Sequence, residues 1–309
     1  MGTIHAICTS AEKGTAKTEC GEAALLHRHG IDGDAHAGTW HRQVSLLPLE
    51  RVEEFRNAGA EVKSGDFGEN FVVEGLDWSA MRVGTRLRCG PALLELTQFG
   101  KECHDRCHIF QTMGDCIMPR HGVFAKVLVG GTVRVGDAID AARVFTAALL
   151  TVSDKGSRGE REDASGPVMR ELAEEKGFAV VDAGMVSDDM DAIASALERY
   201  CADGVDLVLT SGGTGFSPRD VTPEATLRVV QRLCPGLPEA MRGLSMAVSK
   251  RAMLSRAVAG IRDRTLIVNL PGSPKAVREC LGFVLDELTH GLDILSGSAG
   301  ECAGDAGGK

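Results

Sequence analysis

No stretch of the 309-residue chain is apolar for long enough to cross a bilayer, and no apolar run near its start resembles a signal peptide. The expectation is a cytoplasmic protein with no membrane partner, whose ten cysteines stay as thiols and form no disulfide framework. Positive charge is also short. The net charge is −9, with 16 basic against 19 acidic residues in 1–144 and 18 against 24 in 145–309. Neither half is a basic module, which argues against nucleic acid as a partner but leaves room for a small anion held by local arginines and a metal. Histidine is scarce in the second half: eight of nine lie before residue 122, and only His290 lies beyond. The two halves are therefore expected to do different chemistry. There is no internal repeat and no flexible Gly/Ser linker. The length suits two domains.

What is present concentrates at Thr210-Ser211-Gly212-Gly213-Thr214-Gly215, followed by Phe216-Ser217-Pro218-Arg219-Asp220-Val221-Thr222-Pro223. The apolar run Asp206-Leu207-Val208-Leu209 before it reads as a buried strand. Thr222 then Pro223 reads as a helix start, with Thr222 as N-cap. A glycine-rich loop thus joins the C-terminal end of a strand to a helix, which is where open α/β sheets bind ligands. Three glycines let backbone N–H groups face an anion with no side chain between. Asp220 adds a carboxylate, so the pattern fits a phosphorylated ligand held with a divalent metal. The loop is neither a P-loop nor G-x-G-x-x-G, and a tight turn that merely needs glycine is the competing reading.

The first half reads as short strands: Ile4–Thr9, Gln43–Leu47, Asn70–Val73, Arg86–Cys89, Leu93–Thr97 and Val123–Val129, with one helix over Pro48–Ala58. Gly130-Gly131, between Val127–Val129 and Thr132–Val135, predicts a hairpin. The second half alternates strands at Ala147–Val152, Phe178–Asp182, Asp206–Thr210 and Thr265–Leu270 with helices at Gly166–Lys176, Met190–Cys201, Thr222–Leu233 and Pro274–Leu288. The expected architecture is a mostly-β barrel over 1–143, a three-layer α/β domain with a mainly parallel sheet over 144–296, and a flexible tail over 297–309.

Further polar groups gather at the predicted strand ends. Asn269-Leu270 runs into Pro271-Gly272-Ser273-Pro274-Lys275, where Ser273 is a natural N-cap and the helix start plus Lys275 favour an anion. An ordinary capped helix explains the same residues. Ser153-Asp154-Lys155-Gly156 ends the first strand, with Asp163 beyond, and Asp188-Asp189 follows the second. Capping of the helix from Met190 is the rival reading for Asp188-Asp189.

These motifs, with Leu150–Lys155, Asp163–Pro167, Val186–Asp189, Leu209–Thr226, Pro235–Arg242, Met253–Arg256 and Asn269–Lys275 in order, resemble the molybdopterin adenylyltransferase family, related to the N-terminal domain of gephyrin. The resemblance covers about 147–296 and implies an enzyme that transfers AMP from ATP to the terminal phosphate of molybdopterin, with Mg²⁺ among the phosphates. It places the essential carboxylates on Asp188 and Asp220, both for metal and phosphate positioning. Ser153, Asp154, Gly212, Gly213, Thr214, Gly215, Arg219, Gly272, Ser273 and Lys275 become candidate phosphate or substrate contacts. It also implies a homo-oligomer, a trimer through this domain. Ser211 stands where the family often carries Thr, and Ser187 where Pro is common. A carrier or scaffold without turnover is the contrasting class, and retention of both carboxylates favours the enzyme.

In the first half, Lys101-Glu102-Cys103-His104-Asp105-Arg106-Cys107-His108, with Cys116 behind, admits a reactive thiol, a zinc site or plain buried thiols. Lys101 and Arg106 would lower the pKa of such a thiol. Gly33–Gly38, His41–Leu47, Gly65–Asn70, Gly122–Val127 and Gly136-Asp137 resemble a MOSC domain, the C-terminal module of molybdenum cofactor sulfurases. That resemblance covers about 1–141. It implies a β-barrel that binds a pterin or the finished cofactor and handles sulfur through a cysteine, with no need for pyridoxal phosphate. Cys103 matches best and Cys107 second, although Lys101-Glu102 stands where Arg and Pro are frequent. His36, His41, Arg42 and Asn70 are candidate pocket residues. Molybdenum cofactor acceptor enzymes are the further partners implied.

Overall fold

The computed structural model describes residues 1–102 and 116–297. The chain divides into two compact units, Met1–Arg143 and Val144–Lys309. Of the expected tail, only Gly297 lies among the described residues.

The first unit runs β1 (Gly2–Thr9), β2 (Thr18–Cys20), β3 (Glu22–Leu26), β4 (Gly30–Ile31), β5 (Val44–Pro48), α1 (Leu49–Asn57), β6 (Phe71–Glu74), β7 (Arg86–Cys89), β8 (Ala92–Phe99), α2 (Met118–His121), β9 (Val123–Val129), β10 (Gly131–Arg134) and β11 (Ala138–Ala141). Seven strands form a closed barrel in the order β1-β6-β5-β9-β8-β7-β11, and β11 returns to β1 at Gly2 and Thr3. Alternate residues of these strands, such as Ile4, Leu46, Phe71, Leu94 and Ile139, fill its interior. A second core, with Val52, Phe67 and Met118, packs α1 and α2 against the outside.

The hairpin expected at Gly130-Gly131 is absent. β9 pairs with β8 and β5, whereas β10 pairs with β3 in a separate three-stranded sheet with β4. A two-residue I′ turn needs positive φ at both central positions, and only Gly131 has it. The glycines serve close passage instead. A Cβ on Gly130 would sit 2.6 Å from the Leu25 carbonyl oxygen, and one on Gly131 would sit 2.7 Å from Pro91 Cγ.

The second unit runs β12 (Thr146–Val152), α3 (Asp154–Ser157), α4 (Gly166–Glu175), β13 (Ala179–Val186), α5 (Met190–Ala202), β14 (Leu207–Ser211), α6 (Thr222–Val229), β15 (Arg232–Leu233), α7 (Gly236–Ser245), β16 (Ala259–Arg262), β17 (Thr265–Leu270) and α8 (Pro274–Leu295). Its sheet has the order β13-β12-β14-β17-β16-β15. The first four strands are parallel, and β16 and β15 add antiparallel. Alternation along the strands makes three layers. Leu149, Leu209 and Val268 face α4, α7 and α8, while Leu150, Val208 and Ile267 face α5 and α6.

Element ends differ from the sequence reading where a tertiary partner competes. The helix expected over 222–233 stops at Val229, and Arg232-Leu233 pair with β16. β13 continues to Val186 beside β12, and α8 continues to Leu295 because Leu288 and Leu292 extend its buried stripe.

Candidate functional site

Because β13 and β14 flank β12, the chain reverses direction across the sheet at β12, leaving a crevice at the C-terminal ends of β12 and β14. The loop 212–221 rises from it. Gly212 has φ +102° and Gly213 φ +63°. A Cβ at Gly212 would lie 2.3 Å from the Val152 carbonyl oxygen, and one at Gly213 would lie 2.4 Å from Thr222 Oγ1. Only glycine fits either position.

The loop is held by its carbonyls. Thr222 Oγ1 donates to the Gly212 oxygen at 2.9 Å, and Thr222 N to the Gly213 oxygen at 3.1 Å. Arg256 N donates to the Thr214 oxygen at 2.9 Å, and Arg256 Nε to the Gly215 oxygen at 2.6 Å. Thr222 is therefore no N-cap: α6 starts at Thr222 after an uncapping Val221, and the hydroxyl locks the loop instead. By contrast, the amides of Gly213, Thr214, Gly215 and Phe216 have no hydrogen-bond partner among the described residues. Carbonyls satisfied on one side and N–H groups open on the other make an anion cradle.

Three carboxylates adjoin it. Asp154 N donates to Asp188 Oδ2 at 2.7 Å, and Asp188 N donates to Asp154 Oδ1 at 3.0 Å, a reciprocal lock between the ends of β12 and β13. Arg219 clasps Asp154 through Nε at 3.0 Å and Nη2 at 2.8 Å. That hydrogen bonding holds the Asp154 carboxyl below the usual range. Burial pushes Asp188 up, and the charges of Asp154 and Asp220 add to the rise. Asp220 Oδ2 accepts from Ser217 N at 3.1 Å. Neither Asp188 Oδ1 nor Asp220 Oδ1 accepts a hydrogen bond among the described residues. The neighbouring aspartates are spent on structure. Asp189 caps α5 by accepting from Ala192 N, so capping and site divide the Asp188-Asp189 pair between them. Asp163 accepts from Thr151 Oγ1 at 2.8 Å and from Gly166 N at 2.9 Å, closing the start of α4.

Two cavities meet at this point. One, of about 480 Å³, is lined by Thr214, Gly215, Asp220, Met241, Arg242 and Arg251, and has a largely apolar wall. The other, of about 390 Å³, is lined by Ser153, Arg161, Asp188, Ser211, Gly212 and Ser273. Gly213 and Gly272 are common to both. Gly272 packs there with no room to spare, since its Cβ would come 3.3 Å from Gly212 Cα. Ser273 caps α8 by accepting from Ala276 N at 3.2 Å. Lys275 lines neither cavity: it is 83% exposed and sits 3.8 Å from Glu279. The cavities also hold Arg161 and Arg251, which no motif singled out and whose guanidinium groups have no partner among the described residues, and Asn269, which the sequence marks only as the end of a strand. Asn269 is buried at the wall of the larger cavity and donates to Thr210 Oγ1 and Thr226 Oγ1, both at 2.9 Å. A single arginine in a loop, or in the short 3-10 turn Lys250–Leu254, carries no pattern to distinguish it from surface charge, and the Asn269 bonds are long-range.

In the first unit the motif residues form a buried polar knot. Lys17 Nζ donates to both Asp34 oxygens, at 2.8 and 2.6 Å. Burial pulls the Lys17 ammonium down. Burial opposes ionisation of Asp34 too, but hydrogen bonds from His36 and Lys17 outweigh it and hold its carboxyl well below the usual range. Asn70 is spent within the knot: Oδ1 accepts from Ser45 N and Oγ, and Nδ2 donates to Cys8 O and Asp34 Oδ2. Fully buried Glu69 accepts from Gly65 N at 2.7 Å, and burial pushes its carboxyl up to about 7. Nearer the surface, the Arg42 guanidinium lies 4.9 Å from the Trp40 ring centre and 5.6 Å from that of Phe124, with Nε unpartnered among the described residues. His41 meets Gln98 Oε1 at 3.0 Å. Cys103 and Cys107 lie outside the described residues. Cys8, Cys20, Cys89, Cys201, Cys234 and Cys280 are free thiols. Among the described residues, no helix is long and apolar enough to cross a membrane.

Comparison with known proteins follows the same division. Residues 148–290 match the family described as "Probable molybdopterin binding domain", and residues 33–140 match the MOSC domain. A molybdopterin adenylyltransferase of Helicobacter pylori is 41% identical over 153 residues, covering 48% of this chain and 87% of the relative. The gephyrin of Dictyostelium discoideum is 39% identical over 158 residues, covering 48% of this chain and 22% of that protein. Among solved structures, the molybdopterin biosynthesis enzyme MoaB from Thermus thermophilus is 47% identical with a TM-score of 0.48, covering 50% of this chain and 97% of that one. With the matching motifs set around one glycine loop, the chain belongs through its second unit to the molybdopterin adenylyltransferase family, and it carries a MOSC domain in its first.

Proposed function

We propose that the protein acts in molybdenum cofactor biosynthesis and that its second unit transfers AMP from ATP to the terminal phosphate of molybdopterin. The observation that carries this reading is the row of open amides that begins at Gly213, the residue shared by two cavities that each present a carboxylate, and continues through Thr214 and Gly215 along one of them. Phosphates bound from both sides converge on those N–H groups. An oxygen of the pterin phosphate attacks the α-phosphorus of ATP, the bond to the β-phosphate oxygen breaks, and pyrophosphate leaves. The open amides stabilise charge on the phosphoryl oxygens, and Arg161 and Arg251 draw the outer phosphates. The remaining work is holding two anions in line.

Mg²⁺ fits this donor set. Among the described residues no group of three or more His, Cys, Asp or Glu is placed to hold a metal. Mg²⁺ commonly takes one or two carboxylates and completes its shell with substrate phosphates and water. Asp188 Oδ1 and Asp220 Oδ1 are the oxygens that would hold it. When bound it supplies neutralisation of phosphate charge.

In the same reading the barrel binds the pterin or finished cofactor beside its stacked Arg42, with Cys103 as the sulfur-carrying thiol, and tethering raises the local concentration of a labile product. A homotrimer through the second unit belongs to it as well. Mass spectrometry of the pterin after incubation with ATP and Mg²⁺ tests the central claim. Wild type should form adenylylated molybdopterin, and Asp220→Ala should lose that rate by about a hundredfold or more while still binding the pterin. Bound molybdopterin with no adenylylation by wild type would mean a carrier.

A further inference from the structure

Arg256 holds the glycine loop from outside it, and the reaction as described above gives it no part. Its main-chain N–H binds the Thr214 oxygen, Nε binds the Gly215 oxygen, Nη2 binds the Asp220 oxygen, and Nη1 pairs with Glu224 in the first turn of α6. One residue therefore collects three carbonyls of a single loop and ties them to the helix that follows.

The direction of those bonds matters. In a planar trans peptide the N–H points opposite to the carbonyl of the same unit. Drawing the 214, 215 and 220 carbonyls toward Arg256 turns the N–H groups of Gly215, Phe216 and Val221 away from it. The amides of Gly215 and Phe216 are among those left open. The guanidinium also offsets the partial negative charge of carbonyls that would otherwise oppose an anion. Its bond to the Asp220 carbonyl fixes the backbone that carries the Asp220 carboxylate.

We infer that Arg256 is a positioning residue for AMP transfer, which presents the loop amides and the Asp220 carboxylate to the reacting phosphates without touching them. The inference rests on the AMP-transfer reading. A planar fork with several directed N–H groups is required, so Lys, with a single ammonium, keeps the charge but not the arrangement.

The test uses the full chain as wild type, Arg256→Lys, Arg256→Ala and the remote control Arg278→Ala, which removes only a surface pair with Glu171. With molybdopterin, ATP and Mg²⁺, Arg256→Ala should lower kcat on the order of thirty- to a hundredfold and leave KM for the pterin within about threefold. Arg256→Lys should stay about tenfold or more below wild type, and Arg278→Ala should match it. Hydrogen exchange gives a second readout: in Arg256→Ala, the amides of Ser217, Asp220 and Thr222, which bond within the loop, should exchange faster while β14 and β17 stay protected. A kcat within about threefold of wild type in Arg256→Ala, or full recovery by Arg256→Lys, overturns the inference. If wild type forms no adenylylated pterin, the AMP-transfer reading fails by itself. Positioning is then judged on exchange and on inorganic pyrophosphate affinity by calorimetry: faster exchange with about tenfold weaker pyrophosphate in Arg256→Ala upholds it, and no change in either overturns it.

Discussion

Two polar clusters, one in each unit, look alike in sequence, since both are glycine-rich stretches with aspartate and a basic residue nearby. In the barrel, Lys17, Asp34, Asn70 and Ser45 turn inward onto one another and onto nearby backbone. In the α/β unit, the loop ties the carbonyls of Gly212 to Gly215 and leaves the amides of Gly213 to Phe216 open among the described residues. A polar cluster that turns its groups inward serves architecture, and one that turns a row of donors toward a crevice is suited to a ligand. The contrast teaches that where groups face, into a closed core or onto a crevice, separates scaffold from site better than residue type does, since buried Glu69 Oε2 in the barrel is itself without a partner among the described residues.

The sharpest way to break this comparison is to add one methyl group. Gly213→Ala places a Cβ in strained backbone and against Thr222 Oγ1, and AMP transfer should fall by about a hundredfold or more, with an unchanged circular dichroism spectrum. A near-wild-type rate would mean that the cradle is not used. In the barrel the analogous blow should cost stability alone. Lys17→Met strands the buried Asp34 carboxylate and should destabilise the first unit by about 3–5 kcal/mol, read as an earlier urea transition, with adenylylation by the second unit unchanged. Lost adenylylation at temperatures where the barrel is still folded would erase the division of labour.

A finer probe is pH. Glu69 holds its proton to about pH 7 in the folded barrel against an ordinary value of 4.5. A raised folded pKa contributes stability that is complete below 4.5 and is lost as pH rises to about 7, on the order of 3 kcal/mol, with a level plateau above. Glu69→Gln should flatten that decline in chemical-denaturation curves, and a decline of the same size in the variant would assign it to another group. The smallest effect belongs to Lys275→Ala. Exposed and next to Glu279, Lys275 should change kcat/KM for ATP less than about threefold, and a tenfold loss would bring it into the site after all.

Much of this was legible in the sequence because it is local. Alternation and apolar runs located most strands, and glycine next to a strand end located the cradle. The reciprocal lock between Asp154 and Asp188 needed the strand order, because the two lie 34 positions apart and meet only when β13 pairs with β12. Thr222 reads as a cap since Thr-Pro usually is one, but the Gly212 carbonyl competes for its hydroxyl. Gly130-Gly131 reads as a turn because glycine pairs are turns by default, and crowding by Leu25 and Pro91 is invisible in one dimension. Arg256 shows the same limit: the Met253–Arg256 match marks the segment but not that its guanidinium reaches back to Gly215, 41 positions earlier.

The wall shared by the two cavities, Gly213 and Gly272, carries a consequence for how such a site can change over time. Bare backbone has no rotamers, so this partition cannot swing, swell or be tuned by degrees; any replacement is a step change. In the proposed transfer, preference for one nucleotide or pterin over another would then fall to the outer walls, at positions such as Met241, Arg251 and Arg161, where exchange of one side chain for another is gradual. If the two cavities hold the two reactants of the proposed transfer, the glycine septum sets their separation, and the periphery is where their identity is read.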